Sequence, residues 1–201
     1  MTNESHRPLG SVLPAQAQAG RRGFFTRLAA GGLVLAAGAV SWGCSAPTVA
    51  HYAAETPRLD LKQYFNGRLD AWGIFQDRSG AVVRRFTVVM NCRWEGEVGT
   101  LEEDFTYSDG KTERRVWTLR EVGPGRYVGT AGDVIGQAQG AVQGNALNWR
   151  YTLALPVDGR VWHFEFDDWM FLVDDRVMLN RAVMSKFGIR LGEVTLSFVK
   201  R

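Results

Sequence analysis

The chain has 201 residues, 45% hydrophobic, 22% charged and 11% aromatic, with six prolines and two cysteines. That composition excludes a disordered tail, a collagen-like repeat and a disulfide-stapled miniprotein, and the length suits one domain behind a leader. The formal charge of +3 falls in the leader, where Arg7, Arg21, Arg22 and Arg27 oppose Glu4, while the remainder is balanced; with no basic face to meet phosphates, nucleic acid is not an expected partner.

Residues 1–43 read as an export signal. Arg21-Arg22-Gly23-Phe24-Phe25-Thr26-Arg27 precedes an uncharged run over 28–43, 16 residues rich in Ala, Gly, Val and Leu. A spanning helix needs about 20 apolar residues, so a basic segment before a shorter apolar one fits a cleaved signal better than an anchor. The paired arginines before two phenylalanines resemble a twin-arginine signal; the general secretory route is the alternative. The run ends at Val40-Ser41-Trp42-Gly43-Cys44-Ser45, which resembles a bacterial lipobox with Cys44 as the acylated residue. Three acyl chains on one cysteine would hold the protein firmly on a bilayer. Cys92 would then be the sole remaining thiol, excluding an intramolecular disulfide. Ser45 after the lipid cysteine resembles lipoproteins sent to the outer membrane, so the expected location is the periplasmic side of the envelope. Residues 44–58 lack periodicity and read as a tether.

Over 59–201 apolar residues recur every second position between turn residues, a strand signature. Phe86, Val88, Met90, Cys92 and Trp94 alternate along one run, and Phe105 and Tyr107 precede Asp109-Gly110. Strands follow over 116–122, 127–130, 141–143 and 147–155, the last with Trp149, Tyr151, Leu153 and Leu155 in phase. Asp158-Gly159 suits the positive backbone angles of a type I′ hairpin. The run 161–173 turns at Asp174-Asp175 into 176–185, and Gly188 separates that from 191–200. Eight to ten hairpin-linked strands predict an all-β fold, an antiparallel up-and-down barrel whose closure removes exposed edges, with a sandwich as the alternative. Gly132, Gly136, Gly140 and Gly144 either share one strand face, permitting sharp coiling, or mark a loop and a weak edge strand.

Enzyme signatures are poor. Gly110-Lys111-Thr112 lacks the upstream glycine of a phosphate-binding loop, and no Gly-x-Ser-x-Gly elbow occurs. With His51 and His163 the only histidines beyond the leader, a zinc site would have to borrow carboxylates; no metal or cofactor is expected. His163 reads as a solvated strand residue and Cys92 as a small core hydrophobe. Asp167 and Asp168 must face opposite sides of a regular strand. If Asp168 shares the face of Trp162, Phe164 and Phe166, it is a carboxylate in an aromatic pocket and needs a partner. Counting outward from Asp174-Asp175 places Arg181 opposite Asp168, with Asn180 as an orienting amide; the pair reads either as a buried salt bridge that fixes barrel register or as a ligand contact.

The segments Asp133-Val134-Ile135-Gly136-Gln137-Ala138-Gln139-Gly140, Gly144-Asn145-Ala146-Leu147-Asn148-Trp149-Arg150-Tyr151, Phe166-Asp167-Asp168-Trp169-Met170 and Asn180-Arg181 through Lys186-Phe187-Gly188 to Gly192-Glu193-Val194-Thr195-Leu196 together resemble the DUF3833 family of bacterial lipoprotein-like envelope proteins. The resemblance spans nearly all of 59–201. It implies a lipocalin-like barrel and supplies no reaction or catalytic residues. The leading expectation is a non-enzymatic, lipid-anchored barrel holding a fatty acid, lipid or other apolar ligand against Trp149, Trp162, Phe164, Phe166 and Trp169, with Asp168, Asn180 and Arg181 at a polar end. The alternative is a structural or interaction lipoprotein with a filled interior. An enzyme would need titratable groups converging in one cleft. Eight-stranded barrels are just wide enough to be packed or to hold one small ligand, so cavity volume decides.

Overall fold

The computed structural model describes residues 46–201; the paired arginines, the apolar run and Cys44 lie outside the described residues. Ten antiparallel strands follow one another: β1 (Gly67–Asp77), β2 (Val82–Glu95), β3 (Val98–Tyr107), β4 (Thr112–Gly123), β5 (Arg126–Thr130), β6 (Ala138–Gln143), β7 (Ala146–Val157), β8 (Arg160–Leu172), β9 (Val177–Lys186) and β10 (Ile189–Lys200). Each pairs with its chain neighbours and β10 returns to β1, closing the up-and-down barrel that the alternation predicts. The two-residue rhythm carries straight into burial: Val88, Met90 and Cys92 of β2 point inward and are buried while Asn91 and Arg93 are exposed. At Asp158-Gly159 both residues have positive φ, 50° and 76°, as a type I′ turn requires.

One end of the barrel is plugged. Asp60 caps the short helix α1 (Leu61–Tyr64), its Oδ1 accepting from the backbone N–H of Lys62 at 2.8 Å and of Gln63 at 3.2 Å. Leu61, Tyr64 and Phe65 are buried against Leu69, Met90, Met178 and Phe198 in the main core. Two polar handles fix the plug: the Tyr64 hydroxyl donates to the Arg176 carbonyl at 3.0 Å, and Trp94 Nε1–H donates to the Phe65 carbonyl at 2.9 Å. The segment expected to be a featureless tether is partly docked. A 3₁₀ turn, Val49–Tyr52, presents Tyr52 edge-on to Trp169 and Phe171 on the outside of β8, with centroids 5.8 and 5.0 Å apart.

Gly132 and Gly136 lie in the loop between β5 and β6 and Gly144 in the turn before β7, so the loop reading of the four glycines holds for these three. Gly140 stands apart. It is inside β6, and a Cβ there would sit 2.3 Å from the Trp149 ring. The missing side chains at Gly140 and Gly129 let that indole lie against the wall. β5 and β6 have only five and six residues. Away from the plug they leave β4 and β7 unpaired with each other, and loop 131–137 covers the seam: Val134 bridges to Leu153 and the Ile135 N–H donates to the Thr152 carbonyl at 2.9 Å.

Candidate ligand cavity

Above the packed core the barrel is open. A cavity of about 810 Å³ runs from Leu61 and Phe65 at the plug to Val83, Tyr107, Lys111 and Val157 at the mouth, within the roughly 300–1,000 Å³ of ordinary ligand clefts. Barrel diameter grows with strand number, so ten strands leave room that eight would have to fill. Its walls are mostly apolar: Met90, Leu119, Trp149, Leu153, Phe166 and Met184 are representative. The aromatics interlock. Tyr151 stacks on Phe166 with centroids 5.2 Å apart, and Trp117 meets Tyr151 edge-on at 5.4 Å and Trp149 at 5.8 Å.

Of the residues expected to line a pocket, Trp149, Phe164, Phe166, Asp168 and Asn180 do so. Three do not. Arg181 lies on the outer face and grips Glu193, Nε donating to Oε1 and Nη2 to Oε2, both at 2.7 Å, which holds the Glu193 carboxyl below its usual range. The expected Asp168–Arg181 pair fails because the turn is one residue longer than counted. Asp174 Oδ1 accepts from the N–H of Arg176 and of Val177 at 2.8 and 2.7 Å, and the Val173 N–H donates to the Val177 carbonyl, so Asp168 pairs with Ala182 and Trp169 with Arg181. A one-residue slip turns a side chain to the other face. Trp169 is likewise outside, stacked on Phe171 at 6.0 Å. Trp162 keeps the inward phase but sits past the cavity's lining at the rim, 39% exposed, with Lys186 Nζ 4.2 Å from its ring centroid. His163 is exposed on the outer face of β8. Burial pushes the Cys92 thiol up to about 12, the behaviour of a core side chain and not a nucleophile.

Asp167 and Asp168 do split between the two faces. Asp167 accepts from Asn148 Nδ2 at 2.6 Å outside, whereas Asp168 is 6% exposed inside, its Oδ2 accepting from the Tyr151 hydroxyl at 3.2 Å. Its real neighbours are residues the sequence reading passed over. Glu103 of β3 stands directly across the strand pair from Arg115 of β4. Arg115 Nη2 donates to Asp133 Oδ2 at 2.7 Å and to Glu113 Oε1 at 3.2 Å, lacing loop 131–137 to β4 across the seam. Burial lifts the Asp168 carboxyl to about 7 against the opposing pull of Tyr151 and Arg115, and burial likewise lifts Glu103 to about 7 against Arg115. Burial, then the Asp168 charge, raises Tyr151 well above its ordinary range, so it remains a hydroxyl donor. One Arg115 thus faces several carboxylates, and Asp168 Oδ1 is buried without a partner.

A closed antiparallel barrel, plugged at one end and holding an apolar cavity open at the other, defines a lipocalin-like β-barrel. The chain belongs to the DUF3833 family, described as a protein of unknown function, whose family model matches residues 39–200. No curated protein matches it. Among solved structures it is similar in fold to an S-type phycobiliprotein lyase from Guillardia theta, with 6% identity and a TM-score of 0.52 over 72% of this chain and 94% of that one. It is similar also to a protein of unknown function of the DUF3598 family from Nostoc punctiforme, with 10% identity and a TM-score of 0.52 over 74% of this chain and 51% of that one.

Proposed function

We propose that the protein is a lipid-anchored binding protein of the bacterial envelope, acylated at Cys44, held on the periplasmic side of the outer membrane, and carrying a lipid or other apolar small molecule in its barrel. The observation that carries this reading is the cavity of about 810 Å³ behind an open mouth. A filled interior would favour the alternative of a structural or interaction lipoprotein, and the open cavity supports the carrier reading instead. Val83 and Val157 at the cavity mouth are 55% and 42% exposed, giving an apolar ligand a greasy entrance. Likeness to the lyase shows the fold alone. The test is mass spectrometry of protein purified from its own membranes under native conditions. A mass increment for acylated Cys44, with one co-purifying apolar molecule released on denaturation, is expected; a free thiol at 44 overturns the anchor, and an empty barrel overturns the carrier.

The convergence of Glu103, Arg115 and Asp168 favours a second reading, acid–base chemistry on the bound molecule, since carboxyls poised near neutrality suit proton transfer. Recovery of the co-purified molecule chemically unchanged after incubation with fresh protein removes that reading and leaves binding intact.

A further inference from the structure

An apolar chain fits many cavities; what distinguishes this one is the polar group set into its wall. Asp168 sits at the level of Trp149 and Ala182, its strand partners on either side, and lines the cavity with Asn180 close by. Tyr151 satisfies one carboxylate oxygen at 3.2 Å. The other, Oδ1, is buried with no hydrogen-bond partner. Such an atom costs free energy in the empty barrel and recovers it when a donor arrives. Asn180 does not supply that donor: its Nδ2 donates to the Trp169 carbonyl at 3.3 Å and makes no bond to Asp168. Nor does Arg115, whose Nε and Nη2 are taken by Asp133 and Glu113. Glu103 lines the same cavity and, among the described residues, makes no side-chain hydrogen bond. Nearer the mouth, away from Asp168, Arg84 Nη2 donates to both oxygens of Asp109 at 3.1 and 3.0 Å and its guanidinium lies 3.6 Å from the Tyr107 ring centroid, while its Nε is buried with no hydrogen-bond partner.

We infer that the cavity selects apolar molecules bearing a hydrogen-bond donor, a hydroxyl, amide or ammonium, which Asp168 Oδ1 and the Glu103 carboxyl accept, and that it rejects chains ending in a carboxylate. The inference rests on the carrier reading above and narrows its ligand class. A carboxylate at the level of Asp168 would bring a third anion beside two acidic side chains whose neighbouring cation, Arg115, already donates through Nε and Nη2 to Asp133 and Glu113, whereas an alcohol or amine fills an orphaned acceptor. On this inference a fatty acid is the disfavoured member of the ligands expected at the outset.

The experiment titrates the full chain with dodecanol, dodecylamine and dodecanoate and follows the fluorescence of Trp117 and Trp149, both of which line the cavity. At about pH 8, where both carboxyls are mostly ionised, dodecanol and dodecylamine are expected to bind at least about tenfold more tightly than dodecanoate, a difference of ~1.4 kcal/mol. In Asp168→Asn the preference over dodecanoate is expected to shrink to within about threefold, and Glu103→Gln should shift it in the same direction, both folded by circular dichroism. Dodecanoate binding as tightly as the alcohol to the unmodified chain overturns the donor rule while leaving the carrier reading in place. If none of the three binds, the carrier reading fails and this inference with it.

Discussion

Replacing Asp168 by Asn should stabilise the protein, but only where the carboxylate is ionised. The Asp168 carboxyl is raised from an ordinary 3.8 to about 7, because burial penalises its charged form. Raised above its unfolded value, the group contributes stability that is complete below about pH 4 and is lost as pH climbs through about 7. At ~1.4 kcal/mol per pKa unit the penalty on the ionised form is at most about 4 kcal/mol; relaxation of the surroundings about the buried charge reduces it to about 2 kcal/mol. Asn keeps the acceptor for the Tyr151 hydroxyl and carries no charge. Urea unfolding at about pH 5 and about pH 8 separates the cases. The variant should be within ~1 kcal/mol of wild type at the lower pH and about 2 kcal/mol more stable at the higher, equivalent to a melting point raised by about 4–8 °C. Equal or lower stability of Asp168→Asn at about pH 8 would refute the claim that an unsatisfied, charge-disfavouring carboxyl is set into the cavity wall.

Three further outcomes follow from the same geometry. Gly140→Val drives a side chain into the Trp149 ring, where a Cβ alone lies at 2.3 Å; overpacking of this kind costs about 1–3 kcal/mol, read by thermal melting together with a change in tryptophan emission. Arg115→Met strips the cation from Asp133 and Glu103 at a partly exposed pair, side chains 15% and 25% exposed for Arg115 and Asp133. The expected loss is about 2–3 kcal/mol, with faster amide hydrogen exchange in loop 131–137 as the sign that the seam has loosened. Arg181→Ala, which breaks only the outer pair with Glu193, should leave dodecanol affinity within about twofold; a tenfold loss in the same titration would place Arg181 in the binding site after all.

The barrel was legible because the signal is redundant: Val88-x-Met90-x-Cys92 and Trp149-x-Tyr151-x-Leu153 repeat the same phase on many strands, and Asp158-Gly159 marks a turn of fixed geometry. The site was legible only in part. Trp149, Phe166 and Asp168 follow from phase alone. Arg181 was misplaced because its face depends on the length of one turn, and the side chain of Asp174, by bonding two backbone N–H groups, makes that turn a residue longer than the aspartate pair suggests. Glu103 and Arg115 did carry a signal, each charged yet in phase with apolar neighbours, Leu101 and Phe105 for one, Trp117 and Leu119 for the other. Runs of like charge, Glu102-Glu103-Asp104 and Arg114-Arg115, concealed which member faces in. Asp133 had none, since it reaches Arg115 from a loop whose position is set by two strands too short to close the seam.

The central claim, that the barrel holds an apolar guest, is tested most directly by binding of N-phenylnaphthylamine, a neutral apolar fluorophore, to the wild-type chain and to Ala182→Phe. Ala182 is 3% exposed and lines the cavity opposite Asp168, so a phenyl ring there occupies the guest's volume while leaving the outer wall untouched. Saturable one-to-one binding by the wild type, weakened by at least about tenfold in a folded Ala182→Phe, is the expected result. No saturable binding by the wild type, or equal binding by both, would contradict the claim.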